Sequence, residues 1–386
     1  MAYNNTIFRQ MLQLISRLEF QNIVNRHNGD YRVRKLNCWT QFVHLLFAQL
    51  SGRNSLRDTI QGTKSQSNKL YHLGCTTANR STLSDANNKR PYQIYQDIFF
   101  KLLNRVQTFA PKYKLKLSKK LFIMDSTTID LCLSMFPWAK FRRKKGAVKI
   151  HTLMQVDGLL PNFLHITNGK VHDTKAAKEL NVPPGSFVVF DKGYHDFDQY
   201  KHYKNNKIQF ITRMKTNAAY KVIRNKTIND KSDVLCDEII EFTGYNTHKK
   251  YPHPLRKIKY FDRKNNKTLI FLTNNLRLSA TTIADIYKAR WEIELFFKTI
   301  KQNLKIKSFM GTSKNAVLTQ IWIAMIAYLI LSYHKFILKS KYSIQTLIRL
   351  IQVNLFERKS LKELICYGGF RPPDNFRILQ CSLFNS

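Results

Sequence analysis

Apolar side chains in the first 108 residues recur at the three- and four-residue spacing of amphipathic helices. The spacing holds at 8–18, at 42–50 and at 95–106. The first of these windows predicts a helix through Phe8, Met11, Leu12, Ile15 and Leu18. A polar segment at 77–90 interrupts the pattern and predicts a short helix rich in Asn, Thr and Arg. Together these windows predict a helical N-terminal domain over residues 1–115.

After Pro111 the pattern changes to short apolar runs that are typical of buried strands. Runs at 121–125, 148–156, 160–167, 186–191 and 208–213 predict five strands, and helical windows fall at 174–180 and 197–203. Asp157 and Gly158 mark a tight turn, so the first three strands are expected to form an antiparallel meander. The order strand, strand, strand, helix, strand, helix, strand predicts an α/β core within residues 116–335.

Two further segments complete the pattern. Residues 217–275 alternate with period two and predict a β-rich insertion over about 214–276. A long helix is expected to begin near 279–282, where Thr282 and Asp285 resemble a capping box, and to continue to about 304. Helices are also expected at 316–338 and 343–354, and residues 336–386 are predicted to be a C-terminal helical region.

The composition of the chain indicates what kind of partner it binds. The chain has 386 residues, with 64 Lys and Arg against 25 Asp and Glu, and a formal net charge of +39. Such an excess indicates a polyanionic partner, and a hydrophobic fraction of 44% excludes a disordered basic tail. The longest apolar run, 321–331, is shorter than the roughly 18 residues of a membrane span, so it predicts a buried core helix and no membrane association. The N-terminus lacks the pattern of a signal peptide, which predicts a cytoplasmic protein whose six Cys are buried free thiols.

Two of the few acids lie at the ends of predicted buried strands. Asp125 ends the first strand and Asp191 ends the fourth. If those strands are neighbours, both carboxylates emerge at one edge, where each raises the pKa of the other unless a cation lies between them. Oxygen ligands without His or Cys suit Mg²⁺ or Mn²⁺. The alternative is that each Asp only caps the turn that follows it.

The long helix adds a third acid and favours the metal site. Tyr287, Arg290, Glu294 and Lys301 lie within about 60° of one another around a regular helix, apart from its apolar face. A carboxylate flanked by a phenol, a guanidinium and an ammonium suits a metal ligand set among groups that hold phosphate. Three carboxylates can bind the two divalent ions of an in-line phosphoryl transfer.

With these residues the chain resembles the DDE transposases of bacterial insertion sequences, specifically insertion-sequence family four. The helix carries that family's Y-x2-R-x3-E-x6-K signature as Tyr287, Arg290, Glu294 and Lys301. Asp191-Lys-Gly-Tyr194 resembles the family's D-x-G-Y, and Asp125-Ser-Thr-Thr resembles its first acidic motif. The resemblance implies a ribonuclease-H-like (retroviral-integrase-like) catalytic core carrying the β-rich insertion, preceded by the helical domain and followed by C-terminal helices.

The resemblance also implies roles. Asp125, Asp191 and Glu294 would be the catalytic, metal-binding triad for two Mg²⁺ or Mn²⁺ ions per site, and Tyr287, Arg290 and Lys301 would bind DNA phosphates. The expected activity is nicking at transposon ends and strand transfer into target DNA. The expected partners are double-stranded DNA, at terminal inverted repeats and target, and a second copy in a synaptic homodimer on the bacterial nucleoid. Insertions of this kind occur in relatives with a hairpin step, in which an aromatic residue stacks on a flipped base; the candidates here are Tyr245, Tyr251, Tyr260 and Trp291.

Other residues are candidates for DNA contacts on charge and residue type. A basic run after the first strand includes Arg142, Arg143, Lys144, Lys145 and Lys149, and its proximity to Asp125 favours a clamp on the DNA backbone over a solvated loop. The polar helix contributes Asn79, Arg80, Lys89 and Arg90, for which base contacts and a solvated surface both stay open. Asp173, which follows His172 in a family-like motif, is interpreted as a helix N-cap.

Two other functions remain possible. One is a nuclease of the same fold that cuts DNA without joining it. The other is a sequence-specific DNA-binding protein without catalysis, against which the presence of all three acids argues.

Overall fold

The computed structural model describes residues 5–115, 117–142, 145–228, 233–304, 306 and 308–368, without the side chains of Phe141, Arg142 and Lys145. Within them the α-helices are α1 Ile7–Leu12, α2 Arg17–Arg26, α3 Cys38–Leu50, α4 Leu56–Lys64, α5 Ser67–Leu70, α6 Arg80–Lys89, α7 Gln93–Gln107, α8 Asp173–Ala177, α9 Phe197–Asn205, α10 Tyr245–Lys250, α11 Ala280–Lys288, α12 Glu292–Lys298, α13 Lys314–Ile337, α14 Ile344–Asn354 and α15 Leu361–Tyr367. The strands are β1 Leu121–Leu131, β2 Lys140–Arg142, β3 Lys145–Gln155, β4 Leu160–Asn168, β5 Phe187–Phe190, β6 Gln209–Arg213, β7 Tyr220–Asn225, β8 Val234–Phe242, β9 Leu255–Asp262 and β10 Lys267–Thr273.

The chain divides into two compact units. A helical unit comprises Met1–Phe109, Asn303–Gly311 and Asn315–Ser386, and a sheet unit comprises Ala110–Gln302 and Thr312–Lys314. In this division α13 groups with the helical unit, whereas the sequence pattern predicts an α/β core that extends to residue 335. The reason is packing: Trp322 of α13 meets Phe99 of α7 with ring centroids 5.2 Å apart.

The core of the helical unit is built on α3 and α13. Every residue of α3 is buried. Helix α13 is long and apolar enough to cross a membrane by length and composition, but 94% of its apolar window is buried inside the protein, as expected for a core helix. The first predicted helix was too long: α1 ends at Leu12, Ser16 caps α2 by accepting from the Glu19 amide at 3.4 Å, and Leu18 is 71% exposed.

The sheet unit contains one large mixed sheet. Its strands follow the order β3-β1-β5-β6-β10-β9-β8-β7, with β2 and β4 both paired to β3. Strand β3 is antiparallel to β1 and β4, as the meander predicted, with Gly158 at a φ of 68° in the β3–β4 turn. Strands β1, β5 and β6 are parallel. The predicted β-rich insertion is not a separate module, because β10 pairs antiparallel with β6 and extends the same sheet.

Two predicted elements are irregular in the structure. Strand β1 does not end at Asp125 but continues to Leu131, because Thr127, Thr128 and Ile129 keep pairing with β3. The predicted long helix is α11, a 3₁₀ turn at Ala289–Trp291, α12 and a π-helical turn at Thr299–Asn303. Its N-cap is Ser279, which accepts from the Thr282 amide at 3.0 Å, in place of the predicted capping box.

The cysteines depart in part from the prediction. All five in the described residues are free, as expected. Only Cys38 and Cys75 are buried, whereas Cys132 is exposed and Cys236 and Cys366 are half-buried. Cys381 lies outside the described residues.

Candidate active site

Asp125 and Asp191 lie side by side at the end of a parallel ladder. The β1–β5 pairing ends at Met124 opposite Phe190, so the next residue on each strand is one of the two acids. Opposite residues of a parallel pair point to the same face of a sheet. Both carboxylates therefore emerge together where β5 ends, although β1 itself continues along β3.

Arg290 connects the third acid to the first. Its Nη1 donates to Asp125 Oδ2 at 3.0 Å and its Nη2 donates to Glu294 Oε1 at 2.9 Å. The guanidinium is largely buried, whereas the Glu294 side chain is 45% exposed. Arg290 lies in the 3₁₀ turn, which has three residues per turn and so displaces it from the regular helical spacing. The fork of one guanidinium therefore holds Glu294 toward the strand that carries Asp125.

The electrostatics of Asp125 are those of a crowded carboxylate. Its pKa is raised to about 6, chiefly by burial and also by the charges of Asp191 and Glu294, against the lowering effects of the Ser126 amide and Arg290. The Ser126 amide donates to Asp125 Oδ1 at 2.8 Å. Asp125 is thus desolvated and held through both oxygens, and the other two acids are near enough to affect its protonation.

Tyr287 and Lys301, the remaining residues of the helix motif, differ in their surroundings. The pKa of Tyr287 is raised to about 12, chiefly by burial and also by the Asp191 charge, against the lowering effects of Arg290 and Arg213. The Tyr287 ring also packs on Phe271 with centroids 4.8 Å apart. Lys301 lies half-buried in the π-helical turn. Tyr287 therefore lies beside the acids, and the π turn changes the position that a regular helix would give Lys301.

Asp173 belongs to a polar cluster behind Asp125, and its interpretation as an N-cap was wrong. His172 is the N-cap of α8, whereas Asp173 accepts from Ser126 Oγ and from Lys149 Nζ, both at 2.8 Å. Burial acts to raise the pKa of Asp173, but hydrogen bonds from His151, Lys149 and Ser126 hold it well below its usual value. Since Ser126 also binds Asp125 through its amide, this cluster fixes the strand segment that carries the first acid.

The cluster contains residues that sequence reasoning had not joined. His151 is fully buried, and burial lowers its pKa against the opposing effect of Asp173. Burial raises the pKa of Tyr194, from the D-x-G-Y motif, well above its usual value, and the charges of Asp173 and Asp125 add to this. The sequence did contain a signal for part of this cluster. Lys149 and His151 are two residues apart on one strand, so their side chains share a face of the sheet.

The candidate DNA contacts fall into three groups. Asn79, Arg80 and Lys89 are exposed on or beside α6. Lys149 and Arg90 are not free for DNA: Lys149 pairs with Asp173, and Arg90 is 8% exposed and donates to Gln41 Oε1 at 2.9 Å and to the Leu36 carbonyl. Arg143 and Lys144 lie outside the described residues, as do the side chains of Arg142 and Lys145.

The aromatic candidates separate by exposure. Tyr251 and Tyr260 of the insertion are buried, whereas Tyr245 is 81% exposed on α10. Trp291 is 58% exposed, so it is not a core residue, and its ring lies 4.9 Å from the Arg290 guanidinium carbon. Trp291 and Tyr245 thus remain the aromatic side chains of this group that a base could reach.

The donor set suits a hard divalent cation. It consists of carboxylate oxygens, which Mg²⁺ and Mn²⁺ prefer, with Asp125 and Asp191 adjacent by strand register. As the side chains are placed, no three His, Cys, Asp or Glu of the described residues converge to ligate one ion. The reason is visible in Arg290, which directs one oxygen each of Asp125 and Glu294 toward its own fork.

Comparison with known proteins identifies the family of this site. Residues 116–330 match the family model described as the Transposase DDE domain, which is more than half of the chain. The chain belongs to the DDE transposase family. The resemblance predicted from the two acidic motifs and the helix signature is confirmed, and the protein is a DNA transposase. Residues 3–76 of the transposase match a second model, described as a domain of unknown function, DUF4372.

Three relatives share this similarity. The transposase is 33% identical to a putative transposase, y4zB, of Sinorhizobium fredii over 253 residues, 64% of this chain and 69% of that protein. It is 28% identical to a probable transposase for insertion sequence element IS5377 of Geobacillus stearothermophilus, over 66% of each chain. It is 26% identical to a putative transposase for insertion sequence element IS4SA of Synechocystis, over 68% of this chain and 74% of that protein.

Proposed function

We propose that this transposase cleaves DNA at the ends of its own insertion sequence and joins the freed 3′ hydroxyl to target DNA, using Mg²⁺ or Mn²⁺ held by Asp125, Asp191 and Glu294. The observation that carries the proposal is the adjacency of Asp125 and Asp191 past the β1–β5 ladder, with Glu294 held toward them by Arg290. In a protein of net charge +39, three clustered carboxylates would repel a DNA partner. Divalent cations bound between them would remove that repulsion.

The fold supports the same proposal. Strands β4, β3, β1, β5 and β6 follow one another across the sheet, antiparallel through the first three and parallel through the last three. This is the arrangement expected of a ribonuclease-H-like core, with Asp125 on the central strand β1 and Asp191 directly after the neighbouring strand β5. We infer that β7 to β10 are an insertion that widens this core sheet.

Each residue of the site has a separate task in the proposal. The Ser126 amide and Arg290 orient the two oxygens of Asp125, and Asp173 holds Ser126 in place. Tyr287, Arg290 and Lys301 would bind and orient DNA phosphates. Bound divalent ions supply activation of the attacking oxygen and stabilisation of the leaving oxygen. Attack by water would come first, and attack by the freed 3′ hydroxyl would then use the same site. The protein would act as a homodimer that holds two transposon ends together, at the bacterial nucleoid.

The test is a strand-transfer assay on a labelled transposon end with Mg²⁺. We expect Asp125→Asn and Asp191→Asn to abolish both cleavage and joining. Asp130→Asn is the matched control, because Asp130 lies on the same strand as Asp125 but is exposed. Cleavage without joined products in the wild type would favour the nuclease, and Mg²⁺-dependent cleavage retained by Asp191→Asn would contradict the metal site.

A further inference from the structure

Helix α6 of the helical unit separates two clefts of similar size. One has a volume of about 590 Å³ and lies between α6 and the segment 28–36. The other has a volume of about 570 Å³ and lies on the side of α6 toward Ser55 and Arg57. Both clefts have α6 side chains in their walls, and Asp85 lines both. The helix is thus a ridge with a cleft on either side.

The outer face of α6 carries small polar and hydrogen-bonding side chains. The exposed residues of this face lie within about 120° of one another around the helix and are Ser81, Thr82, Asp85, Asn88 and Lys89. Leu83, Ala86 and Asn87 form the buried face. Ser and Thr bond several bases, Asn pairs with adenine, Lys with guanine, and Asp accepts from cytosine, so this face can read base edges.

The helix is held firmly from beneath. Asn87 Oδ1 accepts from Gln41 at 2.8 Å, and Gln41 in turn accepts from Arg90, the C-cap of α6. Asn315 donates to the carbonyls of Asn87 and Arg90 at 2.8 and 2.6 Å, which satisfies the C-terminal end of the helix. Four polar contacts, two of them buried, thus fix the position of α6, as a helix that reads base edges requires.

The walls of both clefts supply cations. Arg34 and Lys35 are exposed and, among the described residues, make no hydrogen bond or ion pair. Their segment is held at both ends, since Asp30 Oδ1 accepts from the Cys38 amide at 2.7 Å and the Leu36 carbonyl accepts from Arg90. On the other side Arg57 lines the second cleft and is exposed. Preorganised, unpaired cations on both sides of one helix favour a partner with two rows of phosphates.

We propose that α6 enters the major groove of duplex DNA and reads its base edges, while the two phosphate backbones lie in the flanking clefts against Arg34 and Lys35 on one side and Arg57 on the other. A helix about 10 to 12 Å across fits a major groove about 12 Å wide, which places a backbone on each side of it. The proposal rests on the proposed function, because it assigns recognition of the transposon end to the helical unit.

The first experiment measures phosphate contacts with the full-length protein and a labelled random-sequence duplex. The plot of log K against log salt has a negative slope, and each lost phosphate contact makes it shallower by about 0.9. The slope should therefore become shallower by about 1.8 in Arg34→Gln/Lys35→Gln and by about 0.9 in Arg57→Gln. The control, Lys341→Gln/Arg349→Gln, removes two exposed charges elsewhere in the same unit. A slope in the cleft variants equal to that of the control would overturn the proposal.

The second experiment measures base reading by selecting bound duplexes from a randomised library. Thr82→Ala and Asp85→Ala should relax the selected sequence at one or two positions, because the proposal assigns these side chains to base edges. The same selected sequence from both variants and the wild type, or no selected sequence at all from the wild type, would overturn the assignment. Both positions are exposed, and unchanged thermal unfolding confirms that each variant folds.

The two proposals fail in different ways. If the wild type cuts and joins DNA with Mg²⁺ but the α6 and cleft variants bind as the wild type does, only the recognition surface is wrong. If the wild type selects a sequence through α6 but neither cuts nor joins, the catalytic proposal is wrong and the recognition surface stands.

Discussion

Replacing Asp125 by Asn should make the metal-free protein more stable at neutral pH. The pKa of Asp125 is raised from 3.8 to about 6, chiefly by burial, and this value already includes the opposing effects of the Ser126 amide and Arg290. Asn keeps the shape and carries no charge, and its single carbonyl oxygen can accept from either the Ser126 amide or Arg290, but not from both. The variant therefore removes the ionisation that burial makes costly and, like the protonated Asp125 that it imitates, retains one of the two hydrogen bonds.

The pKa shift sets both the magnitude and the pH window of the effect. At about 1.4 kcal/mol for each pKa unit, ionised Asp125 lowers the free energy of unfolding by about 3 kcal/mol. A folded-state pKa above the unfolded one gives stability that is fully present below the unfolded pKa and lost as pH rises through the folded pKa. The wild type should thus lose about 3 kcal/mol between about pH 4 and pH 7, and Asp125→Asn should not.

The assay is urea unfolding in EDTA across this pH range. The two proteins should be about equally stable near pH 4 and should differ by about 3 kcal/mol at pH 7. Asp130→Asn, on the same strand but exposed, should give no such difference. A difference between wild type and Asp125→Asn that is constant with pH, or a less stable variant at pH 7, would refute the reasoning. Added Mg²⁺ should then stabilise the wild type and not the variant.

Two further predictions concern buried charges. Asp173→Asn leaves Lys149 without its partner and should lower the free energy of unfolding by about 2 to 3 kcal/mol; since the pKa of Asp173 is lowered, the loss should be constant from about pH 5 to pH 8. Urea unfolding of a double-mutant cycle with Lys149→Met checks this, and additive effects would contradict it. Arg256 donates to both oxygens of Asp237 in the interior, so Arg256→Met should cost about 3 to 5 kcal/mol and Arg256→Met/Asp237→Leu much less. If thermal unfolding showed the same loss of stability in Arg256→Met and in Arg256→Met/Asp237→Leu, the unpaired Asp237 charge would not be the cause of the loss.

The main lines of the site were predictable because they follow from short-range patterns. An acid directly after each of two apolar runs predicts adjacent carboxylates once the runs pair in parallel, and Asp125 and Asp191 are placed so. The apolar spacing of the long helix also predicts its buried face, on which Ile286, Ile293 and Ile300 are fully buried. In each case the residues that determine the geometry lie within one strand or one helix.

The parts that were not predictable depend on partners distant in the chain. Asp173 reads as an N-cap because its sequence neighbours suit one, but Ser126 and Lys149, 47 and 24 residues away, bind its carboxylate. The aromatic contact between α13 and α7 also joins residues 322 and 99, which no local pattern connects. The 3₁₀ turn at Arg290 likewise has no signal in a helical pattern, although it sets how that side chain reaches Asp125.

Burial, and not charge alone, decides what each cation of this basic protein does. Charge alone does not distinguish Lys149, Arg90 and Arg34. In the structure Lys149 is partly buried and Arg90 is buried, and both are bonded: Lys149 supports the segment that carries Asp125, and Arg90 supports α6. Arg34 is exposed and can exchange counterions for phosphates, which is the source of salt-dependent affinity. The net charge of +39 therefore overstates the number of cations that are free to bind a polyanion, because Lys149 and Arg90 hold the Asp125 segment and α6 in position.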